Sequence, residues 1–173
     1  MARFYEYLVS SLPMLHFGMR PPLSFEKFLR ICEELIPEAD VEALKAVSLA
    51  EYSPLPASSL SRWRAFDTAL RNELAKIRAS RKHIDAHRYL REDGYADPYI
   101  AHAAMAAHRA PSVIEAEKAL DQERWRALDE IALGHYFDID ALIVYAYKLK
   151  ILERWEEIGA TDKKRALAEA TSA

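Results

Sequence analysis

Residues 139–158 read IDALIVYAYKLKILERWEEI, and this stretch says more about the fold than any other part of the chain. It contains neither glycine nor proline until Gly159, and Asp138 just before it is predicted to cap a helix. At about 100° per residue, the apolar run from Leu142 to Tyr147 covers the whole circumference of that helix. Such a helix is either central in a bundle or shared with a partner protein. For a chain of this size, the central position is the preferred interpretation.

A second long helix is predicted over residues 59–91, a length of about nine turns. Its larger apolar side chains recur close to heptad spacing and are Leu60, Trp63, Leu70, Leu74, Ile77 and Ile84. Shorter helices are predicted after the capping residues Ser24, Asp97 and Ser112, and Cys32 lies on the apolar stripe of the first of these. The side chains that we expect to be buried include Trp63, Leu74, Leu142, Leu149 and Leu152.

The composition favours helix throughout the chain. Its 173 residues include only 4 glycines but 29 alanines, and alanine has the highest helix propensity. We therefore predict an all-α bundle of about six to eight helices without a sheet. Residues 1–158 are expected to form a single helical domain, and residues 159–173 a charged C-terminal tail that frays.

Sequence motifs for catalysis are missing. The chain has no phosphate-binding G-x-x-x-x-G-K-[ST], no G-x-G-x-x-G and no G-x-S-x-G. With one cysteine, Cys32, it has no internal disulfide and no cysteine-based zinc or redox site. We therefore predict that the chain is not an enzyme and has no catalytic or cofactor-binding residues. It has no apparent signal peptide, and its longest apolar run, Ala141–Tyr147, is too short to span a membrane, so a cytoplasmic protein is expected.

Two histidines offer the one lead to a metal. His83 and His87 are four residues apart, which would place them on one face of the predicted helix. The zinc-protease motif H-E-x-x-H requires a glutamate where this chain has Ile84. Further ligands would have to come from His102, His108 or a carboxylate. A solvated helix surface is the preferred interpretation, so no metal site is predicted, and a small metal protein or enzyme stays an alternative.

Charge is distributed unevenly along the chain. Residues 61–91 hold nine basic and three acidic side chains, a net charge of +6, whereas the rest of the chain has a net charge of −9. Arg64, Arg71 and Arg78 recur every seven residues beside the apolar seam. Ion pairs with neighbouring acidic side chains and docking on an acidic protein are equally good interpretations. Nucleic-acid binding by this helix is a weaker alternative, because the whole chain has a net charge of −3.

Five strings of residues carry a family resemblance. They are FYEYLVSSLP at residues 4–13, PLSFEKF at 22–28, LRNELA at 70–75 followed by Arg78 and Ala79, HYFD at 135–138, and YAYKLKILERW at 145–155. Together they resemble an uncharacterised bacterial family that accompanies V-type ATP synthase components, over residues 3–158. The last string also resembles the C-terminal helix of the V-type ATPase socket protein, the component that sits between the membrane rotor ring and the central stalk.

The resemblance implies an all-helical, non-catalytic component whose partners are other ATPase subunits of the central stalk or rotor ring. The socket protein is longer and has three related helical units, whereas this chain shows no internal repeat, so an accessory or assembly role is included. Such a protein would be cytoplasmic and would meet the inner face of the membrane through the complex. A generic helical scaffold is a further alternative.

The residues predicted to contact a partner lie in two segments. The basic helix would supply Arg64, Arg71 and Arg78, and the distal half of the last helix would supply Tyr147, Lys148, Arg154 and Trp155. Tryptophan and arginine are over-represented among interface hot spots because they combine a large area with directional hydrogen bonds. The alternative for Trp155 is packing against the helix predicted over residues 112–135.

Overall fold

A computed structural model describes residues 4–47, 58–92 and 97–171, without the side chains of residues 58, 59 and 162–171. These ranges contain seven α-helices, one short 3-10 turn at His87–Tyr89 and no strand, which confirms the predicted all-α class. The helices are α1 (Tyr5–Ser11), α2 (Phe25–Leu35), α3 (Glu38–Lys45), α4 (Ser58–Lys82), α5 (Pro98–His108), α6 (Val113–Ile131) and α7 (Ile139–Thr171).

The predicted capping residues begin their helices. Ser24 Oγ accepts the Lys27 N–H at 3.2 Å, and Ser112 Oγ accepts the Glu115 N–H at 3.1 Å. At the beginning of α5, Asp97 Oδ1 accepts the Tyr99 N–H at 2.9 Å, and at the beginning of α7, Asp138 Oδ1 accepts the Ala141 N–H at 2.9 Å. Each side chain satisfies a backbone donor that has no partner within its own helix.

Contacts between helices divide the chain into two compact units. The first unit comprises Met1–Leu55 and Gly134–Ala173, and contains α1, α2, α3 and α7. The second unit comprises Pro56–Leu133 and contains α4, α5 and α6. The expectation that residues 1–158 form one helical domain stays a prediction.

In the first unit, α7 contacts α1, α2 and α3. The Tyr145 hydroxyl donates to the Pro13 carbonyl at 3.0 Å, and the Tyr145 ring centroid lies 5.2 Å from that of Phe28. Further along α7, Glu153 Oε1 accepts the Phe25 N–H at 2.6 Å at the beginning of α2. We had expected Glu153 on the solvent side of α7, whereas it serves as a second acceptor for the N-terminus of α2.

The apolar first half of α7 is buried within the chain. Its buried side chains are Leu142, Ile143, Val144, Ala146, Tyr147, Leu149, Ile151 and Leu152. They point in every direction around the helix axis, so the structure agrees with the interpretation of a central helix. The predicted end of this helix at Ile158 is wrong, because α7 continues through Gly159 to Thr171. A single helical glycine costs only about 1 kcal/mol, and the segment beyond it is rich in alanine and lysine, which favour helix.

In the second unit, α4, α5 and α6 contact one another pairwise. The predicted seam of α4 is buried at Leu60, Trp63 and Leu70, but Leu74 and Ile77 are half-buried. The helix ends at Lys82 and not near residue 91, which leaves Ile84 exposed. The chain then turns back, and the Asn72 side chain both donates to the Arg91 carbonyl at 2.7 Å and accepts the Arg91 N–H at 3.0 Å.

The end of α4 depends on His83, whose φ is +51°. The His83 N–H donates to the Ser80 carbonyl and the Ile84 N–H donates to the Ala79 carbonyl, at 3.2 and 3.1 Å. This pair of bonds is the Schellman pattern, in which the residue with positive φ is usually glycine. Sequence reasoning missed this end because a histidine takes the place of the usual glycine.

Substitution of His83 tests this conformation. We expect His83→Val to lower the free energy of unfolding by about 1–2 kcal/mol relative to His83→Gly, because a β-branched side chain strains the left-handed backbone. Urea denaturation followed by circular dichroism measures the difference. Equal stabilities of the two variants would contradict the helix end described here.

Candidate interaction surface

An acidic residue interrupts the apolar seam of α4 and organises the second unit. Asp67 follows Trp63 by four residues and precedes Leu70 by three, so its side chain faces inward and is 4% exposed. Arg71 Nε donates to Asp67 Oδ2 at 2.6 Å, and Arg124 Nε donates to Asp67 Oδ1 at 3.0 Å. Arg124 Nη1 also donates to Asp121 Oδ1 at 2.8 Å. Two arginines thus balance two buried aspartates and link α4 to α6.

The pKa of Arg124 reflects this arrangement. Burial of the guanidinium lowers its pKa, but the charges of Asp67 and Asp121 and their hydrogen bonds outweigh burial, so the pKa lies above its ordinary value. Arg124 is therefore permanently charged. The sequence signal for this network is an aspartate at a seam position, and it was overlooked in the predictions.

The three arginines of the predicted basic stripe have different environments. Arg71 forms an ion pair with Asp67, so for this residue the interpretation as an intramolecular ion pair holds. Arg64 is half-buried, and although its Nε and Nη2 atoms are buried, neither has a hydrogen-bond partner among the described residues. Arg78 is exposed and borders a cleft.

The cleft lies between the second half of α4, the end of α5 and the first turns of α6, and has a volume of about 380 Å³. Leu74 and Ile77 of α4 and Leu120 of α6 give it apolar walls. Arg78, Arg81 and His108 also line it, and all three are exposed. The cleft therefore combines an apolar interior with basic side chains.

The basic surface is not one continuous helix. Because α4 ends at Lys82, Arg88 and Arg91 lie on the returning segment and not on the helix face with Arg64 and Arg78. The carbonyl and N–H of Arg91 are held by Asn72. A regular basic helix over residues 59–91, on which the nucleic-acid alternative was based, does not form.

The residues predicted on the last helix lie in the first unit. Tyr147 is 2% exposed, so its side chain belongs to the core and we no longer assign it to a partner surface. Lys148, Arg154 and Trp155 are half-buried. The Arg154 guanidinium lies 5.9 Å from the centroid of the Trp155 ring. Trp155 also borders a cavity of about 420 Å³ beside Met19 and Arg20.

The predicted histidine pair does not form. Since α4 ends before His83, His83 and His87 do not share a helix face. Three other residues, His135, Asp138 and Asp140, place potential ligand atoms within 4.8 Å of one another. His135 Nδ1 and Asp138 Oδ2 are 2.7 Å apart, which is a hydrogen-bond distance, and Asp138 also caps α7. The group therefore closes a turn at the beginning of α7.

Cys32 is buried in α2, as its position on the apolar stripe predicted. Burial, with a smaller effect from the charge of Glu33, raises the pKa of its thiol to about 12. The thiol is protonated at neutral pH and behaves as a small apolar side chain rather than a nucleophile.

Fold and surface define an all-α protein of two helical units. Residues 104–167, less than half of the chain, are similar to a family described as a protein of unknown function, DUF2764. The matched region includes α6 and most of α7. The expected resemblance to an uncharacterised family is confirmed to that extent, and the association with V-type ATPase components stays a prediction. Comparisons with curated proteins and with solved structures gave no match.

No helix in the described ranges is both long and apolar enough to cross a membrane.

Proposed function

We propose that this chain is a non-catalytic subunit or accessory protein of a V-type ATPase that acts through contacts with the central stalk or rotor ring. The ATPase part of the proposal rests on the sequence resemblance described above. One contact surface is the α4 face of the second unit, with Arg64 and Arg78. A second surface lies on α7 in the first unit, with Lys148, Arg154 and Trp155. At these positions the protein would be held at the cytoplasmic face of the membrane by the complex.

The guanidinium of Arg64 is the observation that carries the contact role. A buried donor without an acceptor costs free energy, so a fold gains nothing from keeping one. Since the Nε and Nη2 atoms have no hydrogen bonds to break, rotation of the long side chain toward a partner carboxylate is inexpensive. A carboxylate on the partner would accept charge-assisted hydrogen bonds from this fork of donors.

Replacing Arg64 with methionine separates binding from folding. The variant keeps most of the apolar stem but loses the charge, so thermal stability is expected to stay equal or to rise. Association with ATPase subunits is expected to weaken by about 10- to 100-fold, the equivalent of one charge-assisted hydrogen bond. The measurement is co-purification of the tagged chain from native membranes, quantified for each of the ATPase subunits.

Arg62→Met is the matched control, because Arg62 lies two residues away on α4 and is exposed. It is expected to change neither stability nor co-purification. A large loss of thermal stability in Arg64→Met with intact association would assign Arg64 to the fold. Failure of the wild-type chain to retain any of the ATPase subunits would overturn the proposed function itself.

A further inference from the structure

The cleft of the second unit leaves apolar side chains open to solvent. Val113 at its edge is 79% exposed, and Leu74 and Ile77 are only half-buried. We had expected Leu74 to be buried, and the cleft is the reason that it is not. Leu74 to Arg81 spans about 10 Å of α4, equal to two turns of a helix laid along it.

The charges around this apolar interior are mostly of one sign. Arg78, Arg81 and His108 line the cleft, and Glu117 is the one carboxylate among its lining residues. The segment 61–91, which supplies both arginines, has a net charge of +6. Charge complementarity therefore favours an occupant that carries carboxylates next to its apolar side chains.

We infer that this cleft binds an acidic amphipathic helix of a partner protein. Leucine-like side chains of that helix contact Leu74, Ile77 and Leu120, and its flanking carboxylates pair with Arg78 and Arg81. A helix fits because residues three and four apart share a face, which places apolar and acidic groups side by side over two turns. The inference rests on the contact role proposed above and names the chemistry of the partner, but it does not require that partner to belong to an ATPase.

The probe is a fluorescein-labelled helical peptide of about 14 residues, or four turns, with leucines on one face and glutamates on the other. Two control peptides replace all glutamates with lysine or all leucines with serine. Fluorescence anisotropy with the purified full chain is expected to show binding of the Glu/Leu peptide, at least about 10-fold weaker binding of both controls, and weakening by salt.

Variants then locate the peptide. The double variant Arg78→Glu/Arg81→Glu and the single variant Val113→Asp are each expected to weaken binding of the Glu/Leu peptide by about 10-fold or more. Arg62→Glu, on the same helix but outside the cleft, is expected to stay within about 2-fold. Exposed substitutions of this kind usually change stability by less than about 0.5 kcal/mol. Should the double Glu variant misfold, Arg78→Gln/Arg81→Gln is tested in its place, with an expected loss of about 5-fold.

Several results would overturn the inference. Equal binding of the serine or lysine peptide would remove the amphipathic acidic partner, and unchanged binding in the double variant would remove the cleft. Self-association in sedimentation that the double variant abolishes would identify a second copy of the chain as the occupant. Binding to phosphatidylglycerol vesicles that needs Arg78 and Arg81, without peptide binding, would identify a lipid surface.

The two proposals fail separately. Peptide binding uses the purified chain alone, so its absence combined with intact co-purification of ATPase subunits overturns only the cleft inference. Peptide binding combined with loss of all ATPase subunits overturns only the proposed ATPase role.

Discussion

Replacing Arg124 with leucine is expected to lower the free energy of unfolding by about 3–5 kcal/mol, because the change leaves buried carboxylates without their main cation. Arg124 side-chain nitrogens lie 3.0 Å from Asp67 and 2.8 Å from Asp121, and these aspartates are 4% and 1% exposed. Arg71 still contacts Asp67 in the variant, but Asp121 loses the ion pair with Arg124. Urea denaturation of the full chain, followed by circular dichroism, measures the loss.

Arg126→Leu is the matched control on the same helix. Arg126 is about half exposed and lies 3.6 and 3.8 Å from its acidic neighbours, so the expected loss is below about 1 kcal/mol. Adding Asp121→Asn to Arg124→Leu is expected to restore part of the stability, since an amide has no charge to bury. A loss below about 1 kcal/mol for Arg124→Leu would show that the aspartates do not depend on it.

Local signals in the sequence were sufficient to predict most of the helices. Capping side chains such as Ser24 and Asp138 act within one turn, so their hydrogen bonds are readable from spacing alone. The composition rich in alanine and poor in glycine favoured helix in every segment. These short-range terms needed no knowledge of tertiary packing.

Helix ends were harder to predict. At His83, the left-handed backbone is adopted by a residue that rarely adopts it, so the usual glycine signal was missing. At Gly159 the opposite happened, because a glycine that usually ends a helix lies inside one. In both places the surrounding structure outweighed the preference of a single residue.

Pairing across the sequence limited what could be said of the candidate surface. Asp67 and Arg124 are 57 residues apart, and only the packing of α4 on α6 brings them together. Without that pair, Arg71 resembled Arg64 and Arg78 as a surface arginine. The cleft likewise needs three segments, of which only Arg78 and Leu74 entered the predictions, in separate arguments.

Replacing Leu149 with alanine is expected to lower the free energy of unfolding by about 2–5 kcal/mol. Leu149 is 0% exposed and lies on the part of α7 that is buried in every direction, so truncation leaves a cavity that neighbouring side chains fill only in part. For a chain of this size, each kcal/mol lowers the melting temperature by about 2–4 °C. Differential scanning fluorimetry and urea denaturation of the full chain measure both quantities.

Leu133→Ala is the control for Leu149→Ala, since Leu133 is 74% exposed and should lose less than about 0.5 kcal/mol. The pair also separates the two interpretations of the all-round apolar helix. In the central position, Leu149→Ala lowers stability, while the variant that stays folded at low temperature associates with partners as the wild type does. A small stability loss together with loss of association would instead assign this turn of α7 to a surface shared with a partner.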